Sequence, residues 1–155
     1  MISPSAEQRR SSGYAGYTRT GNRTPELVEE GRKLARRALN DWGLAADAET
    51  AALVMSELAA NAVRHARGPK INMTVHRPQT GLVSVSVIDR SPEAPPQPGT
   101  PGTDAESGRG LLLVAAVSLR WGWEHMGTGK QPWGKRVWAE LEVTTRDAGP
   151  PTVGQ

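Results

Sequence analysis

Met55-Ser56-Glu57-Leu58-Ala59-Ala60-Asn61-Ala62-Val63-Arg64-His65-Ala66 sets a carboxylate and a carboxamide four residues apart in what otherwise reads as a buried, Ala-rich helix. At that spacing Glu57 and Asn61 are neighbours on one helical face. Polar groups beside an apolar stripe are costly unless they find partners. A hydrated magnesium ion carrying phosphates can partner both, because Mg2+ takes oxygen ligands and keeps several waters. On this reading Asn61 supplies one metal oxygen. Glu57, acceptor-only when ionised, orients a metal-bound water or takes the proton of an attacking hydroxyl. Taken alone, the same spacing more often describes a surface Glu and an Asn bonded to nearby backbone.

Outward from this stretch, Asp47 is placed to cap the helix, and Ala51, Val54, Met55, Leu58, Ala62, Val63 and Ala66 form its stripe until Gly68-Pro69 breaks it. An earlier helix is predicted over roughly 25 to 42. Thr24 would be its N-cap and Pro25 its first residue, Leu27, Val28, Gly31, Leu34, Ala35, Ala38, Leu39 and Trp42 its apolar face, and Gly43 its stop. After Pro69 the period changes to two: Ile71, Met73 and Val75 alternate with polar residues up to a turn at Pro78 to Gly81. Leu82 to Ile88 is a near-continuous β run, as expected of a central strand buried on both faces and hairpinned to the one before.

Arg90 to Arg109 contains five prolines and almost no aliphatics, a length typical of lids and binding segments. Gly110 to Ser118 reads as a short helix, apolar almost all round and hence buried. Leu119 to His125 and Lys135 to Val143 read as strands around a Gly-rich turn at Met126 to Gly134. Residues 1–23, rich in Ser, Gly, Arg and Thr, are expected to form a mobile tail, 24–145 the domain and 146–155 a flexible end. This order of elements implies an α+β protein, a two-layer sandwich of helices on one face of a mixed, mostly antiparallel sheet of four or five strands.

Composition narrows the function. The 155 residues suit one domain. Lys+Arg 19 against Asp+Glu 16 leaves a net charge of +3, too little to argue for direct binding of nucleic acid. The absence of cysteine excludes disulfides and thiolate metal sites and suits a reducing cytoplasm. No apolar run approaches a membrane span, and Met1-Ile2-Ser3-Pro4-Ser5 lacks the layout of a signal peptide, so a cytoplasmic protein without membrane partners is expected.

Three further features can carry chemistry. Asp89 ends the central strand where the lid begins, and a carboxylate there can accept from the exocyclic amine of adenine, a contact guanine would not offer; its plainer reading is a turn-forming Asp before Arg90-Ser91-Pro92. Gly108-Arg109-Gly110-Leu111 opens the third helix out of the lid, where glycine backbone and a helix N-terminus suit a di- or triphosphate, with Arg109 clamping from the lid side and Arg64 from the second helix. Trp121, Trp123, Trp133 and Trp138 fall on the last hairpin, where they pack the sheet and leave some surface for a protein partner. His65, His76 and His125 show no metal-ligand spacing, and Gly-x-Ser-x-Gly and P-loop patterns are missing.

In order, Glu57-Leu-Ala-Ala-Asn61-Ala-Val-Arg64-His65-Ala66, Val87-Ile88-Asp89-Arg90-Ser91-Pro92, Glu106-Ser107-Gly108-Arg109-Gly110-Leu111 and Gly134-Lys135-Arg136-Val137-Trp138-Ala139-Glu140-Leu141 resemble the signature blocks of the GHKL ATPase superfamily. That superfamily includes gyrase, heat-shock chaperones, histidine kinases and mismatch-repair ATPases. Over residues 25–143 the chain looks most like the small stand-alone histidine-kinase-like proteins of actinobacteria, grouped with the anti-sigma-factor serine kinases. The resemblance implies the Bergerat fold, with ATP and Mg2+ held between helices and lid. It implies Glu57 as general base, Asn61 as magnesium ligand and Asp89 on the adenine amine. Gly108, Gly110 and Leu111 would line the phosphates, with Arg64 or Arg109 assisting. It further implies a homodimer that binds a sigma factor and phosphorylates a serine of an anti-sigma antagonist. Two departures stand out: Asp89-Arg90-Ser91-Pro92-Glu93 lacks the usual glycines, and Arg136 stands where many relatives carry a threonine that supports the adenine site. A non-catalytic partner-switching protein, with ATP structural or absent, is the competing expectation. A histidine kinase catalytic half acting in trans is disfavoured, because no preceding helical pair offers a phosphoacceptor histidine.

Overall fold

The computed structural model describes residues 14–93, 95, 105–128 and 130–144, with the backbone alone at 105–109. Among the described residues eight regular elements follow one another: β1 (Tyr17–Asn22), α1 (Glu26–Asp41), α2 (Ala48–His65), β2 (Lys70–Gln79), β3 (Leu82–Asp89), α3 (Ala105–Val117), β4 (Arg120–Met126) and β5 (Gly134–Glu142). A short 3-10 turn, Ala45–Asp47, leads into α2. The strands form one sheet in the order β1-β2-β3-β5-β4, and every pairing among them is antiparallel. With α1 and α2 on one face, this is the expected two-layer α+β sandwich.

Strand alternation decides what the helices cover. Ile71, Met73 and Val75 on β2, Val83, Val85 and Val87 on β3, and Val137, Ala139 and Leu141 on β5 all join the core beneath the helices. The opposite face is polar. Asn72 donates to Thr18 Oγ1 and Thr20 Oγ1, both at 2.9 Å, and Thr74 donates to Asn72 Oδ1 at 3.0 Å. Ser84 and Ser86 are nevertheless buried, because the larger His76, Trp138 and Glu140 stand beside them in register, so β3 is buried on both faces as its sequence predicts. Gly31 lets α1 cross closely, since a Cβ there would lie 2.9 Å from Met55 and Met73 side-chain atoms.

Four expectations need correction. The N-terminal tail was expected to run to residue 23, but Tyr17–Asn22 add an edge strand to β2, while residues 1–13 and 145–155 lie outside the described region. Its inward positions carry no aliphatic: Tyr17 donates to Asp41 Oδ2 at 2.5 Å, Arg19 pairs with Glu30, and Gly21 makes room for Leu27. Asp47 precedes α2 without capping it, because its carboxylate instead accepts from the Thr144 amide at 3.0 Å. Thr24 likewise makes no side-chain cap to α1. Finally, α3 starts five residues before Gly110 and is not buried all round. Leu111 and Val114 are fully buried but Leu112 is 49% exposed, because α3 lies at the margin of the layer against α2 and β4.

Candidate functional site

The inner row of β3 runs Val83, Val85, Val87 and then Asp89, so the strand's last inward position is a carboxylate at the edge of an aliphatic core. Register places Lys135 of β5 directly opposite. Both are buried, at 2% and 5% exposure. Lys135 Nζ lies 3.2 Å from each Asp89 oxygen and donates to the Ser91 carbonyl at 3.0 Å. The Ser91 amide donates to Asp89 Oδ1 at 2.7 Å, an Asx-type turn that sends the chain away from the sheet. Burial pushes the Asp89 carboxyl above its ordinary range, opposed by the Ser91 amide and the Lys135 ammonium. Gly134 is required here because a Cβ would overlap the Asp89 carbonyl. His125, paired with Lys135 in register, bonds the Pro92 carbonyl at 3.0 Å and packs edge-on to Trp123, which steadies the segment after Asp89.

From the helical layer, Asn61 reaches the same cavity as Asp89, Ser91, Leu111 and Lys135, a space of about 50 Å³. Asn61 is 9% exposed, and neither its oxygen nor its nitrogen has a partner among the described residues. Buried amides are almost always satisfied, so one unpaired at both ends calls for a partner from outside the chain, such as a ligand, an ion or water. The described residues hold no cluster of three acidic or histidine side chains. A cation here would rest on one or two protein oxygens plus the ligand's own, a donor set that fits Mg2+.

Glu57, one turn earlier, is half-buried and borders an adjoining groove of about 400 Å³ with Arg32, Arg64 and Gly110. Gly110 and Leu111 are consecutive, so the middle of α3 lies between the groove of Glu57 and the cavity of Asn61. A Cβ on Gly110 would overlap the Glu57 carboxylate.

The structure therefore gathers Asn61, Asp89 and Leu111 in one cavity and Glu57, Arg64 and Gly110 in the next. Because α3 begins at Ala105, its ladder of backbone bonds is already under way at the amide of Gly108. Gly108 and Gly110 therefore both fall inside the ladder, and Gly110 acts as a packing glycine on Glu57. Arg109 lies on the first turns of α3, beyond the described side chains. The lid expected over Arg90–Arg109 lies largely outside the described residues. Arg136 does not face the cavity of Asp89. It projects from the other side of the sheet and pairs with Glu124 at 2.9 Å, while Lys135 takes the place beside Asp89. Lys135, Ser91 and His125 were not singled out from sequence. For Lys135 the signal was present: with Val137 and Ala139 pointing inward, alternation sends Lys135 inward too.

Residues 22–133 match the model of the histidine kinase-like ATPase domain. The chain belongs to that family. This histidine kinase-like domain is also 47% identical over 49 residues to the uncharacterized protein SCO4941 of Streptomyces coelicolor, a match covering 31% of the chain. It spans about half of that relative, 47% of its length. A mycobacterial sensor histidine kinase, MprB, aligns with it at 18% identity and a TM-score of 0.48, over 81% of this chain and 98% of that one. No helix among the described residues is long and apolar enough to cross a membrane.

Proposed function

We propose that the protein binds ATP and works as a regulatory serine kinase, phosphorylating an anti-sigma antagonist and sequestering a sigma factor as a homodimer. The observation that carries the nucleotide reading is the Asn61 amide, buried and unpartnered in the cavity that also holds Asp89. In this reading Asp89 accepts from the adenine amine, and Asn61 with ligand oxygens holds Mg2+, whose charge offsets that of the phosphates. The phosphates would have to reach past α3 toward Glu57. The acceptor serine oxygen bonds to the γ-phosphorus as the bond to the β,γ-bridging oxygen breaks. Glu57 takes the hydroxyl proton and ADP leaves. The sigma factor, antagonist and dimer rest on the resemblance to anti-sigma kinases.

The second reading, a non-catalytic switch, is favoured by the separation of Glu57 from the Asn61 cavity. The last hairpin also offers Trp133, 41% exposed with the Arg90 guanidinium 4.9 Å above its ring, as a protein contact. Glu57→Ala distinguishes the two. Under the kinase reading it retains ATP affinity by calorimetry and loses transfer of labelled phosphate to a serine acceptor; undiminished transfer removes Glu57 as base. Asn61→Ala weakens binding of ATP in the presence of magnesium, and unchanged affinity removes the metal assignment.

A further inference from the structure

We propose that Lys135 is a base-reading residue, donating a hydrogen bond to the ring nitrogen next to the adenine amine while Asp89 accepts from the amine itself; this rests on the nucleotide reading above. The buried pair leaves hydrogen-bonding positions unused. An ammonium has three N–H donors. Lys135 donates one to Asp89 Oδ1 at 3.2 Å and one to the Ser91 carbonyl at 3.0 Å, which leaves a third. Asp89 Oδ1 accepts from both the Ser91 amide and Lys135, whereas Oδ2 is engaged by the Lys135 ion pair alone among the described residues. A carboxylate oxygen has two lone-pair positions, so Oδ2 keeps one.

Both side chains line the cavity, so the pair offers one acceptor and one donor side by side. Adenine carries the complement along one edge, an exocyclic N–H beside the N1 lone pair. Guanine carries the reverse at the same two positions, a carbonyl beside an N–H. A carboxylate alone rejects guanine at one point, while the Asp89–Lys135 pair rejects it at two. Lys135 is also held at two points, by the Asp89 carboxylate and the Ser91 carbonyl, so its head is already oriented before a base arrives. The neighbouring Arg136 cannot do this, because it faces the other side of the sheet.

The test uses the full chain and three triphosphates in the presence of magnesium: ATP, GTP and 1-deaza-ATP, which keeps the amine but replaces N1 by C–H. The wild-type protein is expected to bind 1-deaza-ATP about tenfold or more weakly than ATP, the size of a lost hydrogen bond to a charged donor. Lys135→Met is expected to bind both alike, because its donor is gone. Equal affinities in the wild type overturn the proposal without that variant having to fold, and leave the ATP reading standing. Discrimination that persists in Lys135→Met assigns the contact to another donor and overturns it. ATP affinity that rises in Lys135→Met marks the lysine as an obstruction and overturns it too. A folded wild-type protein that binds no ATP removes the nucleotide reading, and this inference with it.

Discussion

Asp89 and Lys135 form the most deeply buried ion pair among the described residues, with two opposite charges almost fully out of water at 3.2 Å. Such pairs gain little over an apolar replacement, yet breaking one side leaves an uncompensated buried charge worth about 3–5 kcal/mol. The raised Asp89 carboxyl has the same meaning. A folded-state pKa above the unfolded one stabilises the fold below the unfolded value and loses that contribution as pH rises through the folded value. The ionised Asp89 is therefore a load that Lys135 carries. Asp89→Ala is expected to lower stability by about 3 kcal/mol in urea denaturation, and Asp89→Leu with Lys135→Met to recover most of it. A double variant as unstable as the single one would show that the pair itself, not the lone charge, sustains the fold. Retaining the pair despite this load is what a binding role would require.

Among the elements, the ones with a strong hydrophobic period were legible before any coordinates. Leu27, Ala35 and Leu39 on α1, Val54, Met55 and Leu58 on α2, and the β3 run from Leu82 all fall where periodicity put them. β1 escaped because its inward side chains are Tyr17, Arg19 and Gly21, and its place is secured by a backbone ladder to β2 and by two polar contacts on α1. The start of α3 escaped because glycines at 108 and 110 look like loop rather than helix. That misreading concealed the purpose of Gly110, which is to let α3 approach Glu57. Gly110→Ala tests this at the level of the helix. Alanine favours a helix interior over glycine by about 1 kcal/mol, so the denaturation midpoint should hold or rise. The new methyl must displace the Glu57 carboxylate, and ATP-dependent transfer should drop by roughly a hundredfold, the effect of an ångström-scale misplacement. A stable variant with full transfer would mean that the position of Glu57 is irrelevant to the chemistry.

Across the whole molecule, the parts of the site differed in legibility according to how far apart their partners lie in the chain. Glu57 and Asn61 share a helix, so their spacing could be read directly, whereas Lys135 meets Asp89 across 46 positions and only strand register brings them together. The division of Glu57 and Asn61 between two cavities could not be read either, because α3, which separates them, comes from another part of the chain. The same architecture makes ligand binding a global event. α2 contributes Asn61, β3 contributes Asp89, β5 contributes Lys135 and α3 contributes Leu111, and all four elements also share the hydrophobic core. A ligand held by all of them binds the folded state and not the unfolded chain, so it should raise the melting temperature of the entire domain in one transition. At a hundredfold excess over its dissociation constant ATP with magnesium adds about 2.7 kcal/mol. For a domain of this size that is a shift of roughly 10 °C. GTP at the same concentration should give little shift, and Asn61→Ala should blunt the response to ATP. Scanning calorimetry showing a single transition that ATP leaves unmoved at millimolar concentration would mean that the unpaired amide of Asn61 serves something other than a nucleotide.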